Sequence, residues 1–506
     1  MSRFGFCGPS YKLQSPNVDS EILMNAYCEQ TERTGAKSAM TLMHCPGLAI
    51  KYTLPETAVP ELFTVNDRAF AAGADFYELL ANGTYINRGT LNGPPLTPTQ
   101  ILSCQTHLLI LSNGDLFIFT LTAFTDSNGT LHAANSFAAV DMSQFNGPVL
   151  QIEFCDGYFI ATIQNSNTFQ VSNLEDGTTW NGLFISTISY FPDNIVSLKV
   201  DHREIGFFSG KKTIVYYNSG AGYPPFIPIQ GAFLEDGSAA AFATVSVNDT
   251  IAWISQNDRG WAVAKIMGNY VGTRISDLGV EFAWSSYTVS AAVAYAYQDQ
   301  GHNFWMIRFP EGTWVYDFSN GTWHQRGFWD KKTASYTAHR STSHIFAFGM
   351  HLVGDWASGN IYQMSINFYT DFGNPIRGMR RGPNISQENK WIYHKEIEFD
   401  IEKGLGPIPP LLDGDGQPRN PQVILEWFDN VKQKSNAYFL DCGAAGEFQK
   451  RIRKPQLGRS RNRSYQLTWT DPIPWRICDA SLQATCEGEP IYKSGERSSE
   501  AYRKIT

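Results

Sequence analysis

Charge, paired cysteines, long apolar runs and catalytic motifs are all scarce or missing in this chain. Charged residues make up 17% of its 506 positions, below the roughly 25% of an average soluble domain. The net charge is −8, which excludes a nucleic-acid binder working through bulk electrostatics. The eight cysteines (Cys7, Cys28, Cys45, Cys104, Cys155, Cys442, Cys478, Cys486) are scattered without a CxxC pair. That spacing gives a zinc site no support and points to reduced, buried thiols. No apolar run approaches the roughly 18 residues needed to span a bilayer; the best, Leu108 to Phe124, is broken by Ser112-Asn113-Gly114-Asp115. Met1 to Tyr11 lacks the apolar core of a signal peptide, so a soluble protein made in a cytoplasm is expected.

Catalysis leaves little trace. There is no GxSxG elbow, P-loop, HExxH or dinucleotide fingerprint. The ten histidines never pair at helical metal spacing, and His339, His344 and His351 sit in strand and turn context. Asp413-Gly414-Asp415-Gly416-Gln417-Pro418 opens like a calcium loop. However, Pro418 stands where glycine is required and Ile424 where a bidentate glutamate belongs, so a plain turn is expected. Asn173-Leu174-Glu175-Asp176-Gly177-Thr178-Thr179-Trp180 resembles a degenerate Asp-box, a hairpin that speaks for fold rather than chemistry. A glycosidase needs two facing carboxylates, and no such pair is legible. The expectation is a protein that is not an enzyme and uses no cofactor and no metal.

Aromatics, by contrast, reach 14%, with 43 glycines and 25 prolines. From Phe233 to Trp323 short aromatic runs such as Ala252-Trp253-Ile254 and Thr313-Trp314-Val315-Tyr316-Asp317 alternate with Gly, Asn, Asp and Pro. The same theme fills Glu61 to Gln363, with Asn113-Gly114 and Asp156-Gly157 between apolar runs as hairpin signals. About 300 residues of four-stranded units, roughly 40–50 residues each, predict an all-β fold: a β-propeller of six or seven blades.

Boundaries follow from composition. Residues 1–55 read as an N-terminal arm packing on the C-terminal region, with a short helix over Ile22 to Tyr27 capped by Asp19-Ser20-Glu21. Residues 56–368 form the propeller, and 369–383 a basic Gly/Pro-rich connector. Residues 384–486, opening on the alternating Glu396-Ile397-Glu398-Phe399-Asp400, predict a small antiparallel β-sandwich-like domain. Residues 487–506 form a polar tail.

The series Gly231-Ala232-Phe233, Asp258-Arg259-Gly260, Arg274-Ile275-Ser276, Gln298-Asp299-Gln300-Gly301-His302 and Thr313-Trp314-Val315-Tyr316-Asp317 resembles the tail hub, or nozzle, proteins of short-tailed bacteriophages. These are also called packaged-DNA stabilisation proteins. Asn25, Tyr27, Pro46-Gly47-Leu48 and Pro192-Asp193-Asn194-Ile195-Val196 extend the likeness, as do Tyr393-His394, Leu457 to Arg463 and Thr470-Asp471-Pro472. Phe428-Asp429-Asn430-Val431-Lys432 departs from the Gly/Trp hairpin of relatives. The resemblance implies a homo-oligomer, typically a hexameric ring, below the portal and its head-tail adaptor. Such a ring carries tail spikes or fibres and a tail needle or tip protein. It also implies double-stranded DNA passing non-specifically through the channel, no membrane insertion, and a place in the virion tail after assembly in the host cytoplasm.

The strongest charge feature is Lys450, Arg451, Arg453, Lys454, Arg459, Arg461 and Arg463, seven basic residues in fourteen with no acid and no interleaved aromatic. With Arg377, Arg380 and Arg381 of the connector, they are expected to contact a partner or a neighbouring subunit rather than DNA. The competing class is a carbohydrate-binding, receptor-binding propeller, in which Trp284, Trp305, Trp314, Trp323 and Trp329 would stack on sugars, although core packing is the commoner fate of strand aromatics.

Overall fold

The computed structural model describes residues 2–487 apart from 34, 221, 257–259, 408 and 409. The polar tail and Asp258-Arg259 therefore lie outside the described residues. Two-residue turns set the local structure. Asn113-Gly114, with φ of 50° and 89°, joins strands His107–Ser112 and Asp115–Thr120. Asp156-Gly157, with φ of 51° and 86°, does the same for Val149–Cys155 and Tyr158–Ile163. Paired left-handed residues match the right-handed twist of the flanking strands, so each hairpin closes in register.

Such hairpins build six antiparallel four-stranded units in sequence order, over 61–90, 100–139, 149–187, 195–234, 245–274 and 293–330. A seventh consists of Ser341–Ala347, Met350–Asp355 and Asn360–Ser365, completed by Gly47–Thr53 from near the chain's start. Apolar clusters join each unit to the next. Phe70 and Phe119 link the first two, Ile118 and Phe159 the next, and Phe169 and Phe207 the third and fourth. The circle continues through Phe208 with Trp253, Ile254 with Trp305, and Met306 with Val353, and closes at Leu352 with Ala69. This is an all-β propeller, seven-bladed among the described residues. Its ring is sealed where Ile50 pairs with Tyr362 and Leu48 with Met364. Burial of Leu48, 1% exposed, contributes about 2 kcal/mol to that seal.

The outer strand of the sixth blade, Thr322–Asp330, continues into a second region. It meets Ser20–Met24 at Met24–Gln325, and Ser20–Met24 pairs with Gly378–Arg381. Beyond lie Asn462–Trp469 and Gln422–Asp429. A second sheet runs Ala26–Gln30, Met40–His44, Arg476–Cys486, Ile392–Ile401, Ile452–Pro455. The two sheets enclose Leu23, Ile397, Phe399, Val423, Leu425, Leu467, Trp469 and Ile477, with Phe6 of the arm among them. The result is a β-sandwich threaded by the arm.

One expectation is corrected here. Ile22 to Tyr27 is not helical. It spans two strands that bend at Asn25, φ 54°. The Asn25 amide donates to the carbonyls of Gly327 and Arg377, both at 2.9 Å, and accepts from the Gly327 N–H at 2.8 Å. A cap is worth about 1 kcal/mol; ladders on both sides of Ser20–Met24 outweigh it. Residues 369–383, expected as a connector at a boundary, place Gly378–Arg381 inside the sheet. The lone described α-helix, Leu278–Trp284, is capped by the Asp277 carboxylate on the Val280 N–H.

Candidate functional site

The innermost strands of all seven blades converge on one axial cavity of about 310 Å³. Glu61, Gln100, Glu153, Lys199, Ser246, Ala296 and His344 line it, one from each blade in turn. Glu153 and Lys199 form an ion pair at 2.5 Å. Burial pushes the Glu61 carboxyl up to about 8, against a lowering by Lys199, so it is protonated at neutral pH. Burial holds the His344 imidazole down at about 3, so it is neutral there, and its Nε2 lies 2.9 Å from His351 Nδ1. The buried hydroxyls of Thr99 and Ser343 line the same cavity without a partner. At pH 7 the channel thus holds a neutral acid, a neutral imidazole and one closed ion pair. Among the described residues, no group of three or more His, Cys, Asp or Glu has the geometry to hold a metal ion. No motif announces this lining, because its residues stand roughly 40–50 positions apart and only ring closure assembles them.

The basic residues singled out from sequence separate into distinct environments. Arg380 is fully buried: Nε donates to the Phe6 carbonyl at 2.7 Å, Nη1 to the Pro9 carbonyl at 2.8 Å, and Nη2 pairs with Glu21. Arg463 is also buried, clamped by the Asp429 carboxylate at 2.6 and 2.8 Å and donating to the Leu457 carbonyl. Their side chains are 0% and 2% exposed, so within this chain both act as internal struts rather than as surface arginines. Half-buried Arg381 lies 3.9 Å over the Phe428 ring and donates to Gln466 Oε1. Arg377 lies 4.4 Å over Trp329.

Strand pairing explains the next group. Ile392–Ile401 aligns antiparallel with Ile452–Pro455, and its alternation turns Ile397 and Phe399 inward and Glu396 and Glu398 outward. Arg451 meets Glu398 at 2.5 Å, and Arg453 meets Glu396 at 3.2 Å. Lys450 pairs with Asp441 at 3.0 Å, and Lys454 lies 4.4 Å from the Tyr438 ring centroid. The basic run has no acid in sequence; the neighbouring strand supplies them. Arg459 and Arg461 both stack on Trp391, at 4.6 and 4.8 Å. An aromatic therefore does stand beside the run, brought there by the fold.

Other sequence features resolve as framework. The Asp413 carboxylate accepts from the Asp415 and Gln417 N–H groups in a plain turn. Arg274 and Ser276 both bond Glu281, His302 bonds Asp317 at 2.7 Å, and His394 bridges Tyr465 and Ser460. Trp284, Trp305, Trp314 and Trp323 are at most 3% exposed and pack between the fifth and sixth blades. Core packing, the commoner fate of strand aromatics, is what these four show. No helix among the described residues is long and apolar enough to cross a membrane. Cys7, Cys28, Cys45, Cys104, Cys155, Cys442 and Cys478 are free thiols.

A family model described as bacteriophage P22 Gp10, β-propeller, matches residues 30–369. The propeller is thus that of a phage structural protein, a component of the virion. The chain belongs to the bacteriophage P22 Gp10 β-propeller family. No curated protein matches it. Similar solved structures include YCF48 from Cyanidioschyzon merolae, 12% identical with a TM-score of 0.40, covering 63% of this chain and 98% of that one. The extracellular domain of BT4673 from B. thetaiotaomicron is 8% identical with a TM-score of 0.41, covering 78% of this chain and 47% of that one.

Proposed function

We propose that the chain is the ring-forming tail hub, or nozzle, of a short-tailed phage. A hexameric ring sits below the portal and its head-tail adaptor, retains the packaged DNA, and carries tail spikes or fibres outside and a needle or tip protein below. Membership of the P22 Gp10 family, together with a propeller fused to a sandwich through one continuous sheet, carries this reading.

The axial cavity sharpens it. At about 310 Å³, with the Glu153–Lys199 ion pair on its wall, it is the size of a small-ligand pocket. A duplex whose major groove alone is about 12 Å wide does not fit. Double-stranded DNA in this reading runs between copies, not through the propeller. A net charge of −8 favours a lumen that repels phosphate, so DNA slides without adhering. The ring is assembled in the host cytoplasm and ends in the virion tail.

Electron microscopy of particles made without this gene tests the reading. DNA-empty heads lacking a completed tail support it. Full, tailed particles that only fail to adsorb contradict it and favour the receptor-binding propeller.

A further inference from the structure

Among the basic residues of the sandwich, Arg459 and Arg461 stand apart. Both are exposed, and the guanidinium of each stands over the ring of Trp391. The other exposed pair, Arg451 and Arg453, is answered by Glu398 and Glu396. Local structure fixes the pair: Arg459 aligns with Tyr393 and buried Ser460 with Ile392. The Ser460 hydroxyl bonds His394 Nε2 at 3.0 Å. Arg461 stands at the bend between Arg459–Ser460 and Asn462–Trp469, and its guanidinium comes over the same Trp391 ring as that of Arg459.

We infer that Arg459, Trp391 and Arg461 form a clamp for carboxylates on an acidic segment of a partner protein. Stacking on indole holds a guanidinium by its face and leaves its N–H edges free. Those edges suit a planar, bidentate acceptor, and a side chain already held by a ring loses less freedom on binding. The partner is a protein rather than DNA for an electrostatic reason. Glu487 accepts from the Trp391 N–H at 3.3 Å, and Glu388 lies close by in sequence, paired with Lys390. The chain as a whole is at −8. Two arginines without a carboxylate partner among the described residues match a short acidic segment, whereas a duplex needs a longer row of phosphate contacts than this surface offers. The clamp rests on the hub reading in one respect: the partner is taken to be another structural protein of the particle.

The test uses the full chain with a labelled octaglutamate peptide and, separately, a short DNA duplex, across a salt series. The peptide is expected to bind and to quench tryptophan emission. Arg459→Ala/Arg461→Ala is expected to weaken binding by about tenfold or more and Trp391→Phe to remove the quench. Arg451→Ala/Arg453→Ala is expected to bind like the parent chain. Three results overturn the proposal. One is equal peptide binding by the Arg459→Ala/Arg461→Ala chain, and another is tighter binding of the duplex at matched salt. The third is peptide binding that appears only in Glu489→Gln/Glu496→Gln/Glu500→Gln, which assigns the clamp to the chain's own end. A chain that closes DNA-filled heads yet shows no Arg459-dependent binding sinks the clamp and leaves the hub standing.

Discussion

Replacing Arg380 with methionine removes the strut at which arm, propeller edge and sandwich meet. The guanidinium is fully buried and answers the carbonyls of Phe6 and Pro9 and the carboxylate of Glu21. Methionine fills most of the volume but leaves three acceptors desolvated and unanswered. Breaking a buried pair from one side costs about 3–5 kcal/mol. At roughly 2–4 °C per kcal/mol for a region of this size, the transition involving the sandwich should fall by about 10 °C. The loss should also depend on pH. Burial raises the Glu21 carboxyl while Arg380 lowers it; without Arg380 the folded pKa rises further. A folded pKa above the unfolded value means stability is present at low pH and lost as pH rises through the folded pKa. The variant should therefore lose most at alkaline pH. Differential scanning fluorimetry at several pH values, with trypsin cleavage after Lys12 as the readout of arm release, checks both. Arg380→Met/Glu21→Met should recover part of the loss, since two apolar groups replace the pair. An Arg380→Met chain that melts within 2 °C of the parent and protects Lys12 would refute the reasoning.

Further outcomes follow from single positions. Burial lifts the Asp371 carboxyl to about 7 and that of Glu61 to about 8. Stability should therefore fall between about pH 4 and 8, by up to about 1.4 kcal/mol per pH unit for the fully buried Asp371; Asp371→Asn should flatten that slope in urea titrations. At Gly47, where the closing strand starts, a Cβ meets the Phe368 carbonyl oxygen at 2.5 Å and that of Thr370 at 2.7 Å. Gly47→Ala should cost about 1–3 kcal/mol and expose the closing strand to proteolysis. Val431 sits at φ 67° in the turn after Trp427. Val431→Gly should stabilise by roughly 1 kcal/mol, read as a higher melting temperature.

What was legible depended on whether the cause was local. Asn113-Gly114 and Asp156-Gly157 carry their own geometry, so hairpins and the all-β class could be read directly. The residues matching the phage family had unseen reasons: Asn25 bends the arm onto the sixth blade, and Asp317 holds His302. The arm itself was misread because Asp19-Ser20-Glu21 gives a helical signal that non-local ladders override. The basic run was half-legible. Its charge stood in the sequence, but Glu396 and Glu398 lie more than 50 residues away and cancel part of it. Arg380 and Arg463 look like surface arginines until burial is known. Asn430-Val431-Lys432 still makes a three-residue hairpin loop between Gln422–Asp429 and Gln433–Lys434, with Asn430 and Val431 at positive φ, in place of the Gly/Trp form.

The central claim is that copies of this chain enclose the DNA path between them while each propeller axis stays closed. A cryo-electron microscopy reconstruction of the parent particle's tail tests it most directly. The account predicts six copies around the tail axis, each with a seven-bladed propeller whose own axis lies off the DNA density. DNA running through a propeller axis, or this chain found only at the tips of fibres, would contradict it.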